Sequence, residues 1–175
     1  MRVNISESIS LEPLAISDAE ELFPLIDSDR SSLGEYLYWV DSVVDVETTR
    51  EYIKSRVNSG LAGASWYKIK FLSSTVGVFG VKIIHQDEAT AEIGYWLHSA
   101  YHGNGIVSQS VSGISQHLKL QHSIRRIEFR CLEKNRASIS VALRAGGECT
   151  GMIPDYRIIN GVLQNLNVYT AKLSV

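Results

Sequence analysis

The residues best suited to chemistry are those of one glycine loop, Tyr101-His102-Gly103-Asn104-Gly105, set between an alternating apolar stretch and a helical one. Ahead of it, Ala91, Ile93, Tyr95 and Leu97 alternate with Glu92, Gly94, Trp96 and His98, the period of a strand. Behind it, Val107, Val111, Ile114 and Leu118 recur at helical spacing. A strand, a glycine turn and a helix start in that order aim the helix's first free backbone N–H groups at the strand end. Glycine admits close approach to the main chain, and the helix dipole favours negative charge, so the segment is suited to a phosphate. It does not specify which. Gly103-x-Gly105-x-x-Ser108 lacks the third glycine of a dinucleotide fingerprint, and no Gly-Lys-Ser/Thr run marks a nucleotide P-loop. His98 and His102 are four apart but lack the glutamate of a zinc helix, so no metal site is expected.

The elements that position this loop can be read from periodicity and punctuation. A strand is expected at residues 9–14. Ser17 with Glu20 reads as a capping box opening a helix, and a second helical piece follows at 33–40. Thr48 with Glu51 opens a third helix, which runs to about Val57 and which Gly60 ends. Strands at 66–72, 75–84 and 90–97 have short connections and form an antiparallel meander. After the loop helix come a strand at 124–132, a helix at 135–145 ended by Gly146 and Gly147, and strands at 151–159 and 163–173 joined through Asn160-Gly161. The order is βαα, βββ, αβαββ. It predicts a mixed α+β sheet with helices on its faces, in one domain over residues 1–175.

Composition narrows the class. The 175 residues carry a net charge of −2 and no basic run, so nucleic acid is not an expected partner. The N-terminus lacks the apolar core of a signal peptide, and the densest apolar run, residues 76–81, is too short to span a membrane. Two cysteines, Cys131 and Cys149, make no disulfide framework; a cytoplasmic location is the expectation. A homodimer is the default assembly.

Residues 92–110, EIGYWLHSAYHGNGIVSQS, resemble the acetyl-coenzyme-A binding motif of the GCN5-related N-acetyltransferases, the GNAT superfamily. Residues 135–147, NRASISVALRAGG, look like that family's second signature, and the element order is similar to its fold. IGYWL before the loop looks most like the branch that acetylates the N-termini of ribosomal proteins. The resemblance implies a mostly antiparallel sheet of about seven strands, splayed between the fourth and fifth, with about four helices. It also implies acetyl-coenzyme A as acetyl donor and a primary amine, such as a protein N-terminus, as acceptor. Alternatives are a small-molecule amine and a non-catalytic coenzyme-binding domain.

By the same resemblance, Gly103, Asn104, Gly105, Ile106 and Val107 would offer backbone N–H groups to the pyrophosphate, with Ser108 adding its hydroxyl. His102 stands where the family usually has Arg or Gln. Tyr95, Trp96 and Leu97 would line the pantetheine arm, Asn135 would contact the coenzyme, and Ser138 would protonate the departing thiolate. Tyr36, Trp39 and Tyr156 would wall the acceptor. Transfer from a thioester to an amine needs proton removal, placement, oxyanion donors and a proton for the thiolate. Glu92, on the strand leading to the thioester, is a candidate base through a water; Asp155, in the loop before the final hairpin, is its rival. Asp41, Asp45 and Glu47, near the aromatic lid, would suit a cationic amine.

Overall fold

A computed structural model describes residues 2–173. Its strands are β1 (Val3–Asn4), β2 (Ile9–Pro13), β3 (Ser65–Phe71), β4 (Ser74–His85), β5 (Thr90–Leu97), β6 (Arg126–Leu132), β7 (Gly147–Ile159) and β8 (Val162–Lys172). The α-helices are α1 (Ala19–Asp27), α2 (Arg30–Gly34), α3 (Val46–Val57), α4 (Ile106–His122) and α5 (Arg136–Arg144). The strands form one open sheet in the order β1-β2-β3-β4-β5-β6-β8-β7. Every neighbouring pair is antiparallel except β5 and β6.

The sheet carries a helical layer on each face. Leu22, Ile26, Val40 and Ile53 pack with Val78 and Trp96 on one side. On the other, Val111, Ile114 and Leu118 of α4 and Val141 and Ala142 of α5 pack on Phe79, Ile93 and Phe129. The alternation of β5 explains the division: Trp96 faces the first layer, while Ile93 and Leu97 face the second. Among the described residues, no helix is long and apolar enough to cross a membrane.

The sequence-based expectations need adjustment at several points. The sheet has eight strands rather than about seven, because two-residue β1 pairs Val3 with Leu11 and Asn4 with Ser10; two residues are too few to show alternation. Among the described residues there are five α-helices rather than about four. The expected helix over 33–40 is divided into α2 and a 3₁₀ turn, Tyr38–Ser42. The Ser17–Glu20 capping box is not formed: Asp18 accepts from the Ala15 N–H at 2.8 Å, and α1 starts one residue later. The box expected at Thr48 and Glu51 lies one turn earlier. Asp45 accepts from the Thr48 N–H at 2.7 Å, while Thr48 Oγ1 accepts from the Asp45 N–H at 3.0 Å.

Two local features place the site. The β5–β6 ladder runs only from Thr90 with Arg126 to Ile93 with Phe129, so Gly94–Leu97 and Arg130–Leu132 diverge into a fork. On its other edge β5 is held very close to β4: a Cβ at Gly77 would lie 2.2 Å from the Trp96 carbonyl oxygen. The β4–β5 register then shifts between Val81 and Ile83, leaving Lys82 as a bulge residue whose side chain turns to Glu92. The fork opens while its β4 side stays closed.

Candidate active site

A cleft of about 840 Å³ occupies the fork and runs to the start of α4. Gly103 (φ +80°) and Gly105 (φ +68°) are both left-handed, the conformation glycine adopts without a Cβ clash. Gly105 is the N-cap of α4, and no side chain caps that helix. The first-turn N–H groups of α4 therefore have no protein side chain to satisfy them, the arrangement that receives an anion. Of the sequence-predicted coenzyme residues, Tyr95, Trp96, Leu97, His102, Gly103, Gly105, Ile106, Val107, Ser108, Asn135 and Ser138 line this cleft. Asn104 does not; its Nδ2 donates to the carbonyls of Tyr101 and His102, at 3.1 and 3.3 Å, and shapes the loop. His102 also ties the loop to the strand, its Nε2 lying 2.9 Å from the Leu97 carbonyl.

Three cations absent from the sequence reading, Lys134, Arg136 and Arg144, line the same cleft, and Arg144 Nε donates to Ser108 Oγ at 3.2 Å. Helical spacing from Asn135 brings Arg136 and Arg144 onto α5, but only the packing of α5 against α4 brings Arg144 to Ser108. Asp29 was missed as well. Its carboxylate accepts from the Ser99 N–H (2.7 Å) and hydroxyl (2.6 Å), fastening the turn before the glycine loop to the α1–α2 corner.

A second cavity of about 390 Å³ meets the first at Tyr36, Tyr95, Trp96, Asn135 and Ser138. Its walls are aromatic: Trp39 stacks on Tyr52 at 4.3 Å between ring centroids, and the Tyr52 hydroxyl accepts from Trp96 Nε1 at 3.0 Å. Tyr36, Trp39 and Tyr156 all line it. The Tyr36 hydroxyl donates to the Lys134 carbonyl at 3.0 Å, a strap from the helical corner to the β6–α5 loop.

The acid–base candidates are set apart from one another. Ser138 lies where the two cavities meet and donates its N–H to Asn135 Oδ1, so Asn135 caps α5 while lining the cleft. The Tyr95 hydroxyl is buried without a hydrogen-bond partner of ordinary geometry. Burial and nearby Cys131 hold its phenol protonated, opposed more weakly by Ser138 and Arg144. Burial pushes the Cys131 thiol up to about 12, so it is held as the thiol. Glu92 lines neither cavity. Its side chain is 7% accessible and pairs with Lys82 and with Arg130, the latter at 3.3 Å. Asp155 is exposed outside both cavities at φ +49°, with its N–H donated to Asn165 Oδ1. Nor do Asp41, Asp45 and Glu47 reach the second cavity; Asp45 caps α3 and Glu47 pairs with Arg50 at 2.8 Å.

The model of the acetyltransferase (GNAT) domain matches residues 8–148, which include the glycine loop, the fork and all of α5. This chain belongs to the GNAT acetyltransferase family. A ribosomal-protein-serine acetyltransferase of Escherichia coli is 30% identical over 168 residues, covering 95% of this chain and 94% of that protein. The ribosomal alpha-N-protein acetyltransferase RimL in complex with coenzyme A superposes with a TM-score of 0.90 at 27% identity, over 99% of this chain and 98% of that one. A microcin self-immunity acetyltransferase in complex with acetyl-CoA and AMP gives 0.86 at 28% identity, over 97% and 94% of the two chains. The protein is therefore an acetyl-CoA-dependent N-acetyltransferase. Its cleft fits that coenzyme on its own features: left-handed glycines, an uncapped helix start, three lining cations and a strand edge without a ladder partner. Among the described residues no cluster suited to a metal ion occurs.

Proposed function

We propose that this acetyltransferase modifies the N-terminal amine of a polypeptide, a ribosomal protein being the favoured class, by direct attack with donor and acceptor bound together. The observation that carries this reading is the meeting of two cavities at Ser138, Tyr95 and Trp96. A donor lying in the fork and an amine entering from the aromatic side approach the same point, so no acyl-enzyme is needed. The relation to ribosomal N-terminal acetyltransferases supports the acceptor class.

Acetyl-CoA supplies an activated acyl thioester. The chain's part is to bind, orient and move protons. The α4 N-terminus, with Arg136 and Arg144 nearby, receives the pyrophosphate, and the open edge of β5 provides main-chain groups for the arm and the carbonyl oxygen. The amine nitrogen forms its bond to the carbonyl carbon as the carbon–sulfur bond breaks. The nitrogen sheds its second proton as the amide forms, and through water that proton restores the one Ser138 gives to the sulfur; the Tyr95 phenol, held protonated, is a second donor beside it.

Among the described residues no carboxylate lines the acceptor cavity, so we assign the ammonium proton to water there. Glu92 then acts as a positioning residue through Lys82 and Arg130, and Asp155 shapes the β7 bulge that presents Tyr156. Incubation with acetyl-CoA and peptides bearing free or blocked N-termini tests the reading. Free peptides release coenzyme A and gain one acetyl group at the α-amine. Acetylation confined to polyamines or aminoglycosides refutes the polypeptide acceptor.

A further inference from the structure

The charge of the acceptor cavity runs against a cationic substrate. Four cationic side chains line it: Arg56, Lys82, Arg130 and Arg157. Two are answered by carboxylates just behind the wall, Lys82 by Glu92 and Arg130 by Glu92 and Glu128. Arg56 and Arg157 are not. Neither takes part in an ion pair among the described residues, and neither is fully exposed.

Both guanidiniums rest on aromatic rings. Arg157, from β7, lies 3.8 Å from the Tyr38 ring centroid and 5.7 Å from that of Tyr156. Arg56, from α3, lies 4.9 Å from the Tyr52 ring and 5.4 Å from that of Trp66. A ring face restrains a guanidinium without neutralising it; Arg56 Nη1 donates to Ser55 Oγ at 3.5 Å, and the remaining N–H groups of both arginines can receive a planar or tetrahedral anion. The two come from different elements and converge on one cavity, whose lining contains no Asp or Glu.

We propose that the acceptor carries an anionic group, a carboxylate or a phosphate, close to the amine that is acetylated, and that Arg56 and Arg157 receive it. This rests on the acceptor reading above and adds selectivity for an acidic sequence next to the N-terminus. Any carboxylate for which the arginines are poised must arrive with the substrate. A lysine-rich N-terminus or a polyamine would bring positive charge against two unanswered guanidiniums.

The test uses C-terminally amidated serine-initiated peptides, identical except for glutamate, phosphoserine, alanine or lysine at the second and third positions. Binding to the protein–coenzyme A complex is read by calorimetry, and acetylation by coenzyme A release. The glutamyl or phosphoseryl peptide is expected to bind at least about tenfold more tightly than the lysyl one. Which of the two leads identifies the anion as carboxylate or phosphate. Arg157→Gln and Arg56→Gln should each erase most of that preference, and Arg157→Lys should restore part of it. Thermal melts of each variant report whether the fold is retained.

Equal or tighter binding of the lysyl peptide overturns the inference, as does failure of every peptide to bind at millimolar concentration. An acidic preference in binding without acetylation of any peptide leaves the anion site standing and removes the N-terminal acetylation reading instead.

Discussion

Glu92 and Arg130 meet at 3.3 Å at the mouth of the fork: Ile93 with Phe129 is the last β5–β6 ladder pair, and Arg130 is the first residue beyond it. Lys82 reaches the same carboxylate from the β4 bulge, so one anion joins three adjacent strands where the sheet begins to open. The pair sits where β5–β6 pairing stops and the fork begins.

Glu92→Gln leaves two cations without their shared anion. Because both cations are partly solvated, the loss of stability is expected to be about 1–3 kcal/mol, below that of a fully buried pair. Turnover should fall without a change in the shape of its pH profile. Loss of the acidic limb of kcat in this variant would return Glu92 to the role of base.

Ser138→Ala removes the hydroxyl at the meeting of the two cavities. Because the expected loss is in proton delivery to the sulfur, kcat should drop by about 10- to 100-fold, less than a full general-acid contribution because Tyr95 adjoins it. Stopped-flow acetylation with a leaving group of lower thiol pKa checks the assignment: it should recover most of the lost rate. Undiminished turnover in the variant would pass the acid role to Tyr95 or water.

Tyr36→Phe deletes the hydroxyl that reaches the Lys134 carbonyl across the cleft. The bond is exposed to solvent, so stability should change by about 1 kcal/mol or less. The strap lines both cavities, and KM for the amine and for acetyl-CoA should rise together by about three- to tenfold. Steady-state kinetics with each substrate varied in turn reads this directly.

Gly105→Ala puts a Cβ on a left-handed residue at the start of α4. That added side chain meets only Gln109 Nε2 at 3.5 Å, so the penalty is conformational, about 1–2 kcal/mol, rather than a clash. Coenzyme A affinity by calorimetry should weaken by about tenfold or more as the anion-binding turn relaxes.

Cys131 gives a pH signature. Burial raises its thiol from an ordinary 9.0 to about 12, so below about pH 8 both folded and unfolded chains keep this proton and its contribution to stability is flat. As pH rises through the window between those values, the unfolded chain releases a proton that the native chain retains, and the Cys131 contribution to stability falls. Urea midpoints measured from about pH 8 to about pH 10.5 should decline, with a smaller slope in Cys131→Ala. Native protein should alkylate at exposed Cys149 alone, and urea should expose a second thiol.

The glycine turn and helix start proposed for the anion were legible because they are local. Alternation from Ala91 to Leu97, two glycines and the apolar period of α4 specify strand, turn and helix start within thirty residues, 91–120. The eight-residue β5 and the helix starting at Ile106 follow that pattern. Asn135 and Ser138 were legible for the same reason: an N-cap and its third residue are defined by adjacent backbone.

What the sequence could not supply was everything decided between elements distant in the chain. Glu92 read as a candidate base because its partners Lys82 and Arg130 reach it only through a β4 bulge and a parallel β6 neighbour. Asp41, Asp45 and Glu47 read as an acidic rim, yet capping and pairing on α3 use the last two, while Arg56 one face further along enters the cavity. Arg157 lies in β7, whose bulge between Ile153 and Arg157 has no periodic signature. Local sequence determined the glycine turn and helix start proposed to cradle the coenzyme, since hydrogen-bond geometry over a few residues suffices to build them. The charge of the acceptor cavity belonged to the tertiary structure, since it depends on which side chains from separate strands and helices neutralise one another.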